Sequence, residues 1–246
     1  MQDTQSDCVT LALDLCRQPR WSERAYLCWS MASFGQLTRT RDQFLDVSER
    51  ALDRDWAPRR QLSFLRGRRC AKQALGQLCL ERDLTAFSIL PGVFGQPVVH
   101  SRKEAHAEIS IAHTDALAVA LAFPKGHPMA VDVEQVTTEN AAVIRQQLTV
   151  REWDLARNSF DSEQEAAVLC WVMKEALAKV LLTGLTTPIA IYEIAELSSA
   201  GTQWECLFKN FMQYKAHAFF LAGHVCAFVC PKNTKLKLQT NFGVCK

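Results

Sequence analysis

The 246-residue chain has no apolar run longer than eight residues, the length of Ala116 to Phe123. A membrane-spanning helix of about 18 or more apolar residues is therefore not expected. Although there are ten cysteines, at 8, 16, 28, 70, 79, 170, 206, 226, 230 and 245, no C-x-x-C pair occurs. The closest two, Cys226 and Cys230, have no His or Cys partner at zinc-finger spacing, which excludes that motif. Charge bias is also missing: 28 basic against 26 acidic side chains leave a net charge of +2. That balance argues against attraction to nucleic acid by bulk charge, and no nucleic-acid motif is present. The start lacks a basic, apolar leader, since Met1-Gln2-Asp3-Thr4 puts acid before any base and Asp14 follows Leu11-Ala12-Leu13. These absences lead to the expectation of a soluble, cytoplasmic chain whose cysteines are buried as small hydrophobes in a reducing compartment.

What is present is globular. With 48% hydrophobic, 22% charged and 9% aromatic residues, the chain can build one large core or two smaller ones. Arg59 to Leu80 has helical period, with Leu62, Leu65, Cys70, Ala74, Leu75 and Leu78 roughly on one stripe and Pro58 at its start. Pro91-Gly92 and Gly95-Gln96-Pro97 mark turns, and Glu108 to His113 alternates as a strand does. The breaker cluster Pro124-Lys125-Gly126-His127-Pro128 suggests a boundary. Beyond it lie a short strand from Met129 to Glu134, helical segments from about Ala141 to Leu185, and strands at Trp204–Phe211 and His217–Val229. The tail from Pro231 reads as solvated. The expectation is a mixed α/β (α+β) fold in two halves, residues 1–127 and 128–246.

Four features could carry chemistry. In Val131-Asp132-Val133-Glu134, a strand sends Asp132 and Glu134 to one face. Paired carboxylates need a proton or a cation between them, and a hard divalent ion suits oxygen ligands. In Trp171-Val172-Met173-Lys174-Glu175-Ala176-Leu177-Ala178-Lys179, Trp171, Glu175 and Lys179 form an i, i+4, i+8 stripe with Lys174 beside it. That helix is apolar nearly all round, so its charges must face a partner or a cleft. Arg59, Arg60, Arg66, Arg68, Arg69 and Lys72 form a basic run without an intervening acid, suited to phosphate. Lastly, His113 ends the strand-like run Ser110-Ile111-Ala112-His113, before Thr114 and Asp115.

The order of these elements resembles the 4′-phosphopantetheinyl transferase superfamily, in particular the larger surfactin- and enterobactin-type enzymes. The resemblance rests on Phe64-Leu65-Arg66-Gly67-Arg68, Gly95-Gln96-Pro97, Ser110 to Thr114, Ala130 to Glu134, and Trp171 to Leu185. Four departures stand out: Gln96 where the family often has a base, Ala112 and Thr114 where serines flank the histidine, Ala130 before the D-x-E strand, and Leu182 at the first glycine of G-x-G.

The resemblance implies transfer of 4′-phosphopantetheine from coenzyme A to a serine of an apo acyl or peptidyl carrier protein, releasing adenosine 3′,5′-bisphosphate. It implies magnesium on Asp132, Glu134 and Glu175, with Lys174 and Lys179 beside the pyrophosphate and Glu175 as base. Coenzyme A would meet Arg60, Arg68, Lys72, Gly95, Gln96, Pro97, Ala112 and His113 in the first half, and Asp132, Glu175 and Lys179 in the second. It further implies two similar halves related by a pseudo-twofold, working as a monomer without nucleic acid or membrane. The carrier stays open among fatty-acid, polyketide, siderophore and peptide synthesis, secondary-metabolite pathways included. Two other readings compete: a magnesium-dependent phosphohydrolase or nuclease, and a non-catalytic coenzyme A-binding module.

Overall fold

A computed structural model describes residues 7–17, 21–52, 55–102, 105–184 and 186–238. Leu185, Cys245 and the Met1–Thr4 start used above lie outside the described residues. The chain divides into two units, residues 1–126 with a returning segment from Lys235, and residues 127–234. Both are mixed α/β. Among the described residues, no helix is long and apolar enough to cross a membrane.

The first unit contains β1 (Val9–Arg17), β2 (Trp21–Ser30), α1 (Phe34–Thr40), α2 (Val47–Arg50), α3 (Pro58–Cys79), β3 (Phe87–Pro91), β4 (Pro97–Ser101), β5 (Ala107–His113) and β6 (Ala118–Pro124). The second contains β7 (Ala130–Gln135), α4 (Thr138–Arg145), α5 (Val150–Arg157), α6 (Glu163–Val180), β8 (Ile194–Ala200), β9 (Gln203–Phe208), β10 (Tyr214–Leu221) and β11 (His224–Pro231). The last strand, β12 (Lys235–Leu238), pairs antiparallel with β1 in the first unit. The segment read as a solvated tail is thus an edge strand whose backbone is hydrogen-bonded, despite its lysines.

Each unit places one long helix on a five-stranded antiparallel sheet, ordered β12-β1-β2-β6-β5 in the first and β7-β11-β10-β9-β8 in the second. A separate β3–β4 hairpin adds to the first. The eight-residue apolar run becomes β6, buried along its whole length. Its alternation decides which face meets the helix: Ala118, Ala120 and Ala122 pack in one cluster with Cys70, Ala71 and Ala74 of α3. Small side chains on both surfaces bring helix and sheet close. Gly67 sharpens that approach, since a Cβ there would meet Ile111 Cγ2 at 3.1 Å. In the second unit, Val168, Leu169, Val172, Met173 and Ala176 of α6 share a buried cluster with Ala216, Ala218, Val225, Ala227 and Val229 of the sheet. The stretch His217–Val229, read as one strand, is a hairpin. Ala222 and Gly223 form its turn at φ 48° and 75°, and an alanine in that conformation gives no sequence signal.

A buried ion pair of the same construction occurs in both units. Asp46 and Thr149 cap α2 and α5 in capping boxes whose third residues are Glu49 and Glu152. Glu49 accepts from Lys72 Nζ of α3 at 2.5 Å and from the Ile89 amide at 3.1 Å. Glu152 accepts from Lys174 Nζ of α6 at 2.8 and 3.0 Å and from the Ile194 amide at 3.0 Å. One carboxylate therefore joins a short helix, a long helix and a strand, with the lysine 23 residues downstream in the first unit and 22 in the second. Both lysines have no exposed side-chain surface. Burial pushes the Lys72 ammonium below its usual range, and Glu49 opposes that shift.

α6 ends in a Schellman motif: Thr183 N–H donates to Ala178 O and Leu182 N–H to Lys179 O. The left-handed residue this requires is Leu182, at φ 55°. A Cβ there is strained by about 1 kcal/mol relative to glycine.

Lys174→Met leaves Glu152 charged and buried without its cation, so chemical denaturation should show a loss of about 3–5 kcal/mol. An unchanged midpoint would refute the structural importance of the pair. Leu182→Gly relieves the backbone but frees the unfolded chain, so a net gain of about 0.5 kcal/mol is expected by the same measurement. A loss would contradict the strain at that residue.

Candidate functional site

In the first unit a cavity of about 840 Å³ opens between the N-terminal half of α3, the β3–β4 hairpin and the end of β5. Its volume lies in the range of ligand-sized clefts. Arg60, Arg68, Gly95, Pro97 and His113 all line it. The helix supplies Arg60 and Arg68, the turn supplies Gly95 at φ 77°, and β5 delivers His113 at its C-terminal end. The Arg60 guanidinium stacks 3.9 Å from the Trp56 ring centroid, and Trp56 meets Phe64 edge-on at 5.4 Å. Arg68 is more constrained. It lies over Phe64 at 4.7 Å, donates to Ile89 O at 3.0 Å and pairs with Glu49 at 3.1 Å. Burial lowers its pKa while Glu49 opposes the change.

Three expected contacts fall elsewhere. Lys72 is fully buried and bonded to Glu49 and Phe87 O, so it cannot reach a ligand in the cavity. Ala112 is buried, one residue from exposed His113 and therefore on the opposite face of β5. The Gln96 side chain folds back to accept from the Phe94 amide at 2.9 Å. The basic run also splits by role. Arg66 donates to the Ala32 and Asp115 carbonyls and Arg69 grips Asp7 bidentately. Arg59 holds exposed Asp115 through two bonds at 2.8 and 2.5 Å. What the sequence reading missed is Trp56 as a platform for Arg60. Their i, i+4 spacing at the helix start was the available signal.

In the second unit, Asp132 and Glu134 lie on β7, with Val131 and Val133 buried between them. Lys179, one turn after Glu175 on α6, donates to Asp132 Oδ1 at 2.7 Å and to Val131 O at 3.2 Å. Asp132 is 4% exposed. Glu175 sits among these charges. Burial, then the Asp132 and Glu134 charges, raise its pKa to about 7 against the pull of Lys179 and a Trp171 hydrogen bond. Glu134 is raised as well, by burial and by Asp132. Three carboxylates thus share one ammonium.

That donor set fits a hard divalent cation, since all three side chains offer oxygen and their mutual repulsion is already registered in Glu134 and Glu175. Their oxygens do not all lie within 4.8 Å of one another. Lys174 does not join them. Although adjacent to Glu175 in sequence, it points into the core and binds Glu152 with no exposed side-chain surface. The i+1 offset on a helix turns it by about 100°, away from the carboxylates.

A carboxyl whose folded pKa is raised above its unfolded value stabilises the fold at low pH and loses that contribution as pH rises through the folded value. For Glu175 that window runs from about 4.5 to about 7. In chelator, the melting temperature should fall between pH 5.5 and 8, and the fall should be smaller in Glu175→Gln. Identical pH profiles for the two proteins would show that Glu175 is not perturbed.

Residues 128–229 match the sequence model of the 4′-phosphopantetheinyl transferase superfamily. That span lies within the second unit and includes Asp132, Glu134, Glu175 and Lys179. A solved structure, a holo-(acyl-carrier-protein) synthase from Bacillus anthracis str. Ames in complex with CoA (3′,5′-ADP), aligns at 18% identity over 47% of this chain and 94% of its own, with a TM-score of 0.33. No curated protein matches the chain. The carboxylate and lysine site therefore lies in the part of the chain that is similar to the 4′-phosphopantetheinyl transferase superfamily.

Proposed function

We propose that the protein transfers the 4′-phosphopantetheine group of coenzyme A to a serine hydroxyl of an apo acyl or peptidyl carrier protein. The observation that carries this reading is the Asp132–Lys179 pair with Glu134 and Glu175 inside the stretch that matches the superfamily. In the first unit, Arg60 and Arg68 suit the nucleotide phosphates, His113 adds a donor, and the Gly95–Pro97 turn leaves room beside them. In the second, Asp132, Glu134 and Glu175 would hold magnesium, which supplies Lewis-acid neutralisation of the pyrophosphate. Lys179 pairs with Asp132 and adds positive charge near the developing phosphate. Glu175 is the group placed to accept the serine proton, directly or through water. The serine oxygen bonds to the phosphorus that bears pantetheine, the bond from that phosphorus to the bridging oxygen breaks, and adenosine 3′,5′-bisphosphate leaves with the bridging oxygen and its electron pair. Lys174 has no part in this reading, because it is committed to Glu152.

The test is intact-mass analysis of apo carrier proteins from several pathways, incubated with the chain, coenzyme A and magnesium. A carrier gaining phosphopantetheine supports the proposal. Folded enzyme that leaves every carrier unmodified would reject it, and release of phosphate without carrier modification would point to a hydrolase. Asp132→Ala should lower kcat by at least about 100-fold. Arg60→Ala, which removes a charged contact, should raise the KM for coenzyme A about tenfold and change kcat less.

A further inference from the structure

Three cysteines, distant in sequence, meet in the core of the first unit. Cys8 immediately precedes β1, Cys28 lies in β2 and Cys70 in α3, and their sulfurs all lie within 4.8 Å of one another. They are 6%, 0% and 0% exposed. The strand register explains the meeting. Thr10 stands opposite Cys28, so Cys8, two residues back, lies on the same face and diagonal to it. Helix α3 lays Cys70 on that face, where its thiol reaches the Ala118 carbonyl at 3.5 Å. No other pair or trio of metal-type donors among the described residues gathers into such a group of three.

The Arg69 guanidinium lies beside this trio. Arg69 is itself fixed by two bonds to Asp7, at 2.9 and 2.8 Å.

We propose that Cys8, Cys28 and Cys70 form a binding site for a soft d10 metal ion, with Cu(I) as the ion that fits. Three sulfurs each about 2.3 Å from a central ion lie about 4 Å apart, close to the spacing already present. Thiolates select soft ions over magnesium or calcium. Zinc prefers four ligands, and no fourth His, Cys, Asp or Glu donor joins this group among the described residues. A trigonal sulfur set is therefore matched to Cu(I). A Cys8–Cys28 disulfide suits the geometry less well. Diagonal positions on paired strands put Cα atoms about 7–8 Å apart, beyond the usual disulfide span. On binding, three S–Cu bonds form, the thiol protons leave to solvent and no electron is transferred. Arg69 offsets part of the negative charge this leaves. The bound ion would tie the beginning of the chain's first sheet to α3, the helix that lines the cavity. The proposal does not depend on the transferase reading.

The test uses the reduced full-length chain under anaerobic conditions, titrated with Cu(I) delivered as its bicinchoninate complex. One equivalent should transfer to the protein and raise its melting temperature. Cys8→Ser and Cys70→Ala should each weaken Cu(I) at least tenfold, while Cys16→Ser and Cys79→Ser should leave it unchanged. Should the core variants fail to fold, X-ray absorption on the Cu(I)-loaded wild type decides. Three sulfur neighbours support the site. No transfer of Cu(I), dependence on Cys16 or Cys79, zinc outcompeting Cu(I), or nitrogen and oxygen neighbours would overturn it.

Discussion

A buried lysine held by the glutamate of a capping box organises each unit. The glutamate alone satisfies four demands: it caps a short helix, neutralises a lysine inside the core, anchors a strand amide and fixes where the long helix sits. Removing such a charge from water costs several kcal/mol per ion, and only complete pairing offsets that cost. Glu49 and Glu152 meet it with multiple donors each. Because Lys72 and Lys174 have their positions set this way, Arg68 and Glu175, neighbours on the same helices, are presented at fixed orientations. The functional groups therefore inherit their geometry from ion pairs that do no chemistry themselves.

The two sites differ in how their charge is balanced. Along α3, most guanidiniums already have partners: Arg59 with Asp115, Arg66 with backbone carbonyls, Arg68 with Glu49 and Arg69 with Asp7. Arg60, resting on Trp56, is the one the geometry aligns with the cavity rather than with a carboxylate. The second-unit site has the opposite imbalance. Asp132, Glu134 and Glu175 outnumber Lys179, and the excess shows in the raised pKa values of the two glutamates. An excess of carboxylate over ammonium is the imbalance that the proposed cation would offset.

Much of this was legible beforehand where a local pattern carries the physics. The period of Arg59–Leu80 marks α3, the alternation at Val131–Glu134 marks β7, and the i, i+4 spacing of Glu175 and Lys179 puts both on one stripe of α6. Where a residue's role depends on a distant partner, the reading failed. Lys72 and Lys174 resemble ligand-binding lysines in a one-dimensional pattern, because nothing in their neighbourhood names Glu49 or Glu152. The repeated construction is equally faint in sequence: the boxes Asp46-Val47-Ser48-Glu49 and Thr149-Val150-Arg151-Glu152 share only their valine and glutamate, with different cap residues.

The sequence by itself determined the helices α3 and α6, the carboxylate face of β7 and the basic character of α3, since these follow from periods of 2 and 3.6 residues along the chain. Tertiary structure alone decided which charges stay available. Burial and long-range pairing withdraw Lys72 and Lys174 into the core, leave Glu175 crowded, return Lys235–Leu238 to the first sheet and gather Cys8, Cys28 and Cys70. The reason is physical: desolvation and Coulomb interaction act over a few ångströms in space, whatever the separation along the chain.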